Sequence, residues 1–423
     1  MFDVIVIGAG IAGATFASKV SKFANTLLIE AKEEGNIHMS TNVFPEHNRP
    51  FLPEEIDWQD KSLFPSSHIK TNFLGYKEEG IINSEEFGAP LGNISHTEKL
   101  IEALLQICEN QDGTIKYGEK VSQVSRKSDS IQIDTNKGNT YSGKVLAIAT
   151  GSHSFQLQKS LGFEVPESYN AILTHFYGDE DLLNENIPYN YIYHINPNIS
   201  NKGPFFINKS NERIFTGYLG NKGETPEQMN SKLERILNNY QRIQPFIKGL
   251  KRDSKTIVAK VSKNVIKRLV QDRALVLGEA GGLCTDFFWE GMLCGVSSAD
   301  IASKTIKPLL KNDSCNFARN DLKNYEQELK RILLNNYFKN GTASEYLFYR
   351  VKGSSLKTLW DTYARLVNTN KRLRREIWEA YRMQDLENYQ LSRTRWAGER
   401  LFAMLPTLTK LSLGTRFFRA MFK

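Results

Sequence analysis

Apolar residues along this chain repeat with a period that changes from one region to the next. Val4-Ile5-Val6-Ile7 is a β-branched run of the kind that forms a strand buried on both faces. Positions 14–23 follow with small and apolar residues at helical spacing, and Thr26-Leu27-Leu28-Ile29 predicts a second strand. Two later apolar runs, 144–149 and 273–277, read as further buried strands. From about 165 to 255 the pattern shifts to short runs broken by Asn, Gly and Pro, which predict strands at 171–177, 191–195, 204–207 and 213–218. Helical periodicity appears at 98–109, 226–246 (Met229, Leu233, Ile236, Leu237, Tyr240) and 293–303. Beyond 313 it predicts helices at 317–336, 344–351, 355–367, 372–389 and 391–404.

This order of elements predicts an α/β chain: a Rossmann-like dinucleotide-binding domain with an inserted antiparallel-sheet lobe and a C-terminal helical region. The expected divisions are 1–164, 165–255, 256–312, where the first domain resumes, and 313–423. A length of 423 residues is consistent with this, since one hydrophobic core does not grow to that size. With 40% hydrophobic and 24% charged residues and a mean hydropathy of −0.42, the chain is neither disordered nor a bundle of membrane spans. The four cysteines, Cys108, Cys284, Cys294 and Cys315, do not make a disulfide framework or a C-x-x-C pair. They fit a reducing, cytoplasmic compartment, and no metal site is expected. An acidic Asp3 stands where a secretory leader carries positive charge.

The formal charge of +8 is unevenly spread. Positions 371–423 hold 12 Lys/Arg against five Asp/Glu, a net +7, so the preceding body is almost neutral. That argues against a nucleic-acid-binding body, whose basic residues spread over a folded face. After Glu399 large apolar residues (Leu401, Phe402, Leu408, Leu411, Leu413, Phe417, Phe418) alternate with Lys410, Arg416, Arg419 and Lys423, and no acid intervenes. Such a tail reads as a helix lying in an anionic membrane interface, or as a basic amphipathic helix packed on its own protein.

The candidate chemistry starts at Gly8-Ala9-Gly10-Ile11-Ala12-Gly13. It follows the first strand, opens the first helix, and precedes Glu30-Ala31 at the end of the second strand, the context that marks a dinucleotide site. Gly8 makes the turn, Gly10 admits the pyrophosphate and Gly13 allows close packing. Free N–H groups at Ile11 and Ala12 face the phosphates, and Glu30 accepts from ribose hydroxyls. This motif alone suits FAD or NAD. Two later segments favour a flavin. The run ending Thr150-Gly151 is one, and Gly278-Glu279-Ala280-Gly281-Gly282 followed by Glu290-Gly291-Met292 and a small-residue helix is the other. A carboxylate delivered beside a helix start suits a ribityl chain and the negative charge of a reduced ring.

These blocks resemble FAD enzymes of the p-hydroxybenzoate-hydroxylase-like fold. Within it, G-E-A-G-G-L-C-T-D-F-F-W-E-G-M at 278–292 is similar to the geranylgeranyl reductase family's G-D-A-A-G-x-x-x-P-x-x-G-E-G-I. The resemblance implies FAD as cofactor and NAD(P)H or a ferredoxin-like protein as electron donor, since no second strand–G-x-G-x-x-G–helix unit is present. Gly278 and Glu279 fall on the ribityl-binding pair, and Glu290, Gly291 and Met292 on the flavin-side loop. His96, where many relatives carry Arg, opens the second pass into the domain, and Val121 stands at the adenine. Glu279 for Asp, Asp286 for Pro and Trp289 for Gly depart from the pattern. The family's cysteine after the second strand is also absent. Ile37-His38-Met39-Ser40-Thr41-Asn42 stands there, with His38 as candidate acid or a plain loop histidine, and Ser40 and Thr41 as candidate flavin contacts. With Trp289 and Glu290, His38 completes the candidate catalytic set. Tyr191-Ile192-Tyr193-His194-Ile195-Asn196-Pro197 resembles the reductases' Y-x-W-x-F-P strand, so Tyr191, Tyr193 and Pro197 are expected along a substrate tunnel, or in a sheet core.

The resemblance implies an FAD-dependent oxidoreductase that saturates C=C bonds of a geranylgeranyl-type lipid, peripheral on an anionic membrane, with a redox partner protein and no nucleic acid. The alternatives on the same fold are a monooxygenase or halogenase, whose W-x-W-x-I-P signature is absent here, and a redox-neutral cyclase or isomerase.

Overall fold

Strand Phe2–Ile7 lies between two parallel neighbours, Thr140–Ile148 and Thr26–Ile29, and Val4, Ile5 and Val6 are wholly buried, as a continuous β-branched run requires. The computed structural model describes every residue except 37, 38, 313, 352, 353, 389, 390, 422 and 423. The first sheet runs in the order Val270–Gln271, Ala274–Val276, Thr140–Ile148, Phe2–Ile7, Thr26–Ile29, Thr114–Lys116. An antiparallel ribbon, Val121–Arg126 and Ile131–Thr135, joins it at Thr140–Ile148. Helices Ile11–Val20, Thr97–Asn110 and Met292–Leu310 pack on this sheet. Lys19 Nζ meets the buried Asp300 carboxylate at 2.7 Å and Lys304 reaches its other oxygen, so this buried acid carries two cations.

The second sheet is ordered Lys251–Arg252, Glu167–Tyr177, Arg213–Leu219, Phe205–Lys209, Tyr191–His194, Lys70–Leu74, Glu79–Asn83, with Ile257–Lys263 also pairing with Glu167–Tyr177. It therefore reaches outside the expected 165–255 stretch on both sides. The strands from 70–83 are short and polar-rich, with only Phe73-Leu74 and Ile81-Ile82 apolar, so no run marked them. Helix Pro226–Asn239 starts at a Thr225/Gln228 capping box and buries Met229, Leu233, Ile236 and Leu237 against one face of the sheet. It ends at Asn239, short of the expected 246, and a separate turn of helix follows at Gln244–Ile247. The opposite face presents Phe73, Tyr191 and Tyr193 to the C-terminal helices. A small third sheet, Ser66–His68, Gly92–His96 and Thr41–Pro45, bridges the two.

The expected helix 317–336 is two conformations in series: α-helix Arg319–Leu329, then a π-helical stretch Lys330–Phe338. Helices Lys339–Phe348, Ser354–Thr369, Lys371–Arg382, Leu391–Met404 and Thr407–Met421 complete the chain. The helix expected to continue to 389 stops at Arg382, and the chain turns inward to bury Leu386. The tail packs on its own protein along one face, where Leu401, Leu405, Leu413 and Phe417 join the core of Tyr191, Tyr193, Phe348 and Trp360. Phe402 is half-buried against the same core, while Met404, Leu408, Leu411 and Phe418 are exposed.

Candidate active site

The groove over the first sheet is made of backbone. Gly8 has φ +100°, and a Cβ there would lie 2.5 Å from the Ala149 carbonyl oxygen. A Cβ on Gly13 would lie 1.9 Å from the Gly8 carbonyl oxygen, so strand and helix meet only through glycine. A Cβ on Gly10, by contrast, meets nothing within 4 Å, so that side of the turn is open to a ligand. Gly10 caps helix Ile11–Val20 with no side-chain bond, which leaves the helix-start N–H groups at Ile11 and Ala12 facing the opening. Glu30, at the end of its strand, accepts from the Ala9 N–H at 2.7 Å and the Lys32 N–H at 2.9 Å, and Ala31 lies exposed at the rim. Backbone bonds from Glu30 to Lys116 and Glu119 bring Val121 alongside. On the other wall Gly151 faces open space and the buried Thr150 hydroxyl has no hydrogen-bond partner.

The loop after strand Ala274–Val276 continues this groove. Gly278–Gly281 is a single 3-10 turn, and Glu279 Oε2 accepts from Ser152 Oγ at 2.7 Å and from the Ser262 N–H at 3.4 Å. Burial raises the Glu279 carboxyl above its ordinary range, against the two bonds that favour its charge. Gly291 caps helix Met292–Leu310 without a side-chain bond, leaving a second helix N-terminus open beside Glu279. Cys284 and Cys294 are buried, and burial pushes both thiols well up, which keeps them protonated.

From Gly291 and Met292 a cavity of about 550 Å³ runs between the second sheet and the C-terminal helices. Phe73, Tyr191, Tyr193, Phe287, Phe288, Phe348, Leu401 and Phe417 wall it, and Lys339, Asn340, Arg393 and Arg395 stand among its polar lining. Tyr193 packs against Phe73 at 5.6 Å and Phe288 at 4.4 Å, and Tyr381 approaches its hydroxyl at 3.4 Å. Burial raises the Tyr191, Tyr193 and Tyr381 phenols, so all three stay neutral.

At the Gly291 end of the cavity Glu290 joins His47 and Tyr337. His47 Nε2 lies 3.3 Å from Glu290 Oε1, and the Tyr337 hydroxyl donates to Oε2 at 2.5 Å. The other imidazole nitrogen, Nδ1, lies 3.1 Å from the Ala380 carbonyl, which can only accept, so Nδ1 carries a hydrogen. A contact between Nε2 and Oε1 then needs one further proton shared by imidazole and carboxyl. The π-helical stretch that carries Tyr337 is the kind of local widening that aims one side chain out of helical register.

Of the expected site residues, Gly8, Gly10, Ile11, Ala12 and Gly13 form the turn and helix start after the first strand, Glu30, Thr150, Gly151, Gly278 and Glu279 follow the neighbouring strands of the same sheet, and Gly291, Met292, Tyr191, Tyr193 and Glu290 line the cavity. His38 lies outside the described residues. Trp289, at φ +56°, donates its indole N–H to the Lys202 carbonyl at 2.7 Å and stacks edge-on against Tyr169, so its polar group pins the loop. Pro197 sits in a turn outside the cavity lining. Ser40 and Thr41 belong to a buried tether in which Arg213 donates to the Thr41 hydroxyl, the Ser40 carbonyl and Glu98. His96 caps helix Thr97–Asn110 beside that tether. Its buried Nε2 has no hydrogen-bond partner, and burial together with Arg213 holds the imidazole below its ordinary value. His47, Tyr337 and Tyr381 escaped the sequence reading because they come from three remote segments. Only the acid Glu290 carried a motif.

No family model matches the chain. Protein FixC of Salmonella typhi is 23% identical over 359 residues, 78% of this chain and 81% of that protein. Among solved structures, a geranylgeranyl bacteriochlorophyll reductase-like protein of Thermoplasma acidophilum superposes with a TM-score of 0.75 at 15% identity, covering 98% of this chain and 99% of that one. The halogenase PltM, which has also been solved with FAD, superposes with a TM-score of 0.69 at 14% identity over 99% and 96% of the two chains. The chain has the fold of FAD-dependent oxidoreductases.

Proposed function

We propose that the protein is an FAD-dependent oxidoreductase that reduces C=C bonds of a long apolar substrate of the geranylgeranyl or related isoprenoid type. The observation that carries this reading is the aromatic cavity of about 550 Å³ that begins at Gly291 and Met292, where the flavin-side loop is expected. The groove residues fit FAD: an open face at Gly10 and Gly151, two uncapped helix starts, a partnerless Thr150 hydroxyl and the Glu30 carboxylate. When bound and reduced, FAD supplies a hydride to one alkene carbon, with NAD(P)H or a ferredoxin-like protein supplying its electrons.

The chain's own residues do the rest. Phe73, Tyr193, Phe288 and Phe348 hold the alkene and exclude water. Glu290 keeps the proton shared with His47 beside the cavity and delivers it to the second alkene carbon, so that the π bond is replaced by two C–H bonds. The Tyr337 bond fixes the carboxyl rotamer and the Ala380 carbonyl fixes the imidazole tautomer. The test is to incubate dithionite-reduced, FAD-loaded protein with a geranylgeranyl lipid without oxygen and read the products by mass spectrometry. Saturated product supports the reading, and unchanged lipid overturns it. The likeness to PltM favours a second reading, oxygen-dependent monooxygenation or halogenation. Fast oxygen-dependent NADPH oxidation stimulated by a small aromatic compound would select it.

A further inference from the structure

The last two helices have two apolar faces, and one of them points away from the protein. Leu401, Leu405, Leu413 and Phe417 are buried beside the cavity, each 5% exposed or less. Leu408 and Leu411 are 82% and 78% exposed, with Phe418 at 61% and Met404 at 40%. On helix Thr407–Met421 the positions 408, 411 and 418 share one face, by their spacing of three and seven. Met404 adds to it across the Leu405–Pro406 corner. Among the described residues seven large apolar side chains are exposed, and four of them are these.

The charge along helix Thr407–Met421 is of one sign. Lys410, Arg416 and Arg419 lie on the same helix, and the sequence has no acid after Glu399. Such a surface does not suit a second copy of this chain. A two-fold contact would oppose like charges, and a stable dimer buries roughly 800 Å² per partner, more than one short helix face provides. Helix Thr407–Met421 is 15 residues long, and no described helix is long and apolar enough to cross a membrane. A helix with an exposed apolar stripe and basic flanks lies in the plane of an anionic bilayer.

We infer that the Pro406 corner is a bilayer-docking surface, in which Leu408, Leu411, Phe418 and Met404 enter the acyl region while Lys410, Arg416 and Arg419 meet lipid phosphates. The inner faces of the same two helices line the cavity, through Leu401 and Phe417. Docking therefore sets the cavity one helix away from the membrane. The inference rests on the proposed lipid reading only for what enters the cavity, not for the docking itself.

The test is co-sedimentation of the full-length, FAD-loaded protein with phosphatidylcholine vesicles, with and without phosphatidylglycerol. The protein is expected to bind the anionic vesicles and to release at about 0.5 M salt. Leu408→Asp with Leu411→Asp is expected to lower binding by about tenfold or more, with flavin content and turnover of detergent-dispersed substrate unchanged. Wild type that ignores anionic vesicles, or a double variant that binds as well as wild type, overturns the inference. So does sedimentation equilibrium showing a wild-type dimer that the double variant splits, which assigns the face to a second copy. Vesicle binding without any lipid reduction leaves the docking standing and sinks the proposed activity.

Discussion

The groove of the first sheet and the cavity beneath the C-terminal helices meet at Gly291, yet they are built in opposite ways. The groove is mostly backbone: helix-start N–H groups, turns that exclude a Cβ, and the carboxylates of Glu30 and Glu279, contributed by short contiguous segments. The cavity is side chains gathered from the 40s, the 190s, the 280s, a π-helical stretch near 337 and the last two helices. A backbone site tolerates few residue types at fixed spacing, whereas a side-chain site accepts many combinations.

That contrast can be broken from either side. The largest effect is expected in the groove's packing. Gly13→Val places carbon against the Gly8 carbonyl and should cost roughly 4 kcal/mol or more, read by denaturant unfolding. Gly10→Ala should fold with stability changed by less than about 1 kcal/mol but copurify without flavin, seen by absorbance, because its Cβ meets only open space. Equal destabilisation by both would mean that the turn is merely structural.

The tether between the two halves comes next. Glu98 and Arg213 are both buried and 2.5 Å apart. Burial alone raises the Glu98 carboxyl, but the Arg213 bond and charge outweigh it and hold it below its ordinary 4.5. A depressed acid stabilises fully above its unfolded value and loses that contribution as pH falls through the folded one. Stability measured by urea unfolding should therefore drop below about pH 4.5, and Glu98→Gln should cost about 3 kcal/mol at neutral pH and flatten that drop. Glu279, raised by burial, responds with the opposite sign: its contribution is present at low pH and is lost as pH rises through its folded value.

In the cavity, Glu290→Gln keeps the shape and removes the shared proton. It should slow substrate reduction about 100-fold while flavin content stays at wild-type level. The smallest effect is expected for Tyr193→Phe. It removes a hydroxyl that meets only the Tyr381 and Tyr191 phenols, and should change stability by about 1 kcal/mol.

The same contrast explains what was legible in the chain. Gly8 to Gly13, Glu30, Thr150-Gly151 and Gly278-Glu279 announced themselves because backbone geometry constrains neighbours in sequence. The sheet strands at 171–177, 191–195 and 213–218 were readable from their runs. Lys70–Leu74 and Glu79–Asn83 were not, since the pairing of the first with Tyr191–His194 and of the second with the first, and not their own hydrophobicity, makes them strands. His47 and Tyr337 carry no local signal at all. Their meaning comes from Glu290, 243 and 47 residues away. The tail's charge and apolar residues were visible, but which of those residues turn inward depended on the cavity they cover.

We propose that the aromatic cavity presents an alkene to the flavin end of the groove and that the reaction there does not depend on oxygen. It is tested most directly by mixing dithionite-reduced, FAD-loaded protein with a micellar geranylgeranyl lipid in an anaerobic stopped-flow and following flavin absorbance. Rapid reoxidation without oxygen is expected, slowed about 100-fold in Glu290→Gln. Flavin that stays reduced until oxygen is admitted, and then oxidises faster with a small aromatic compound, would contradict it.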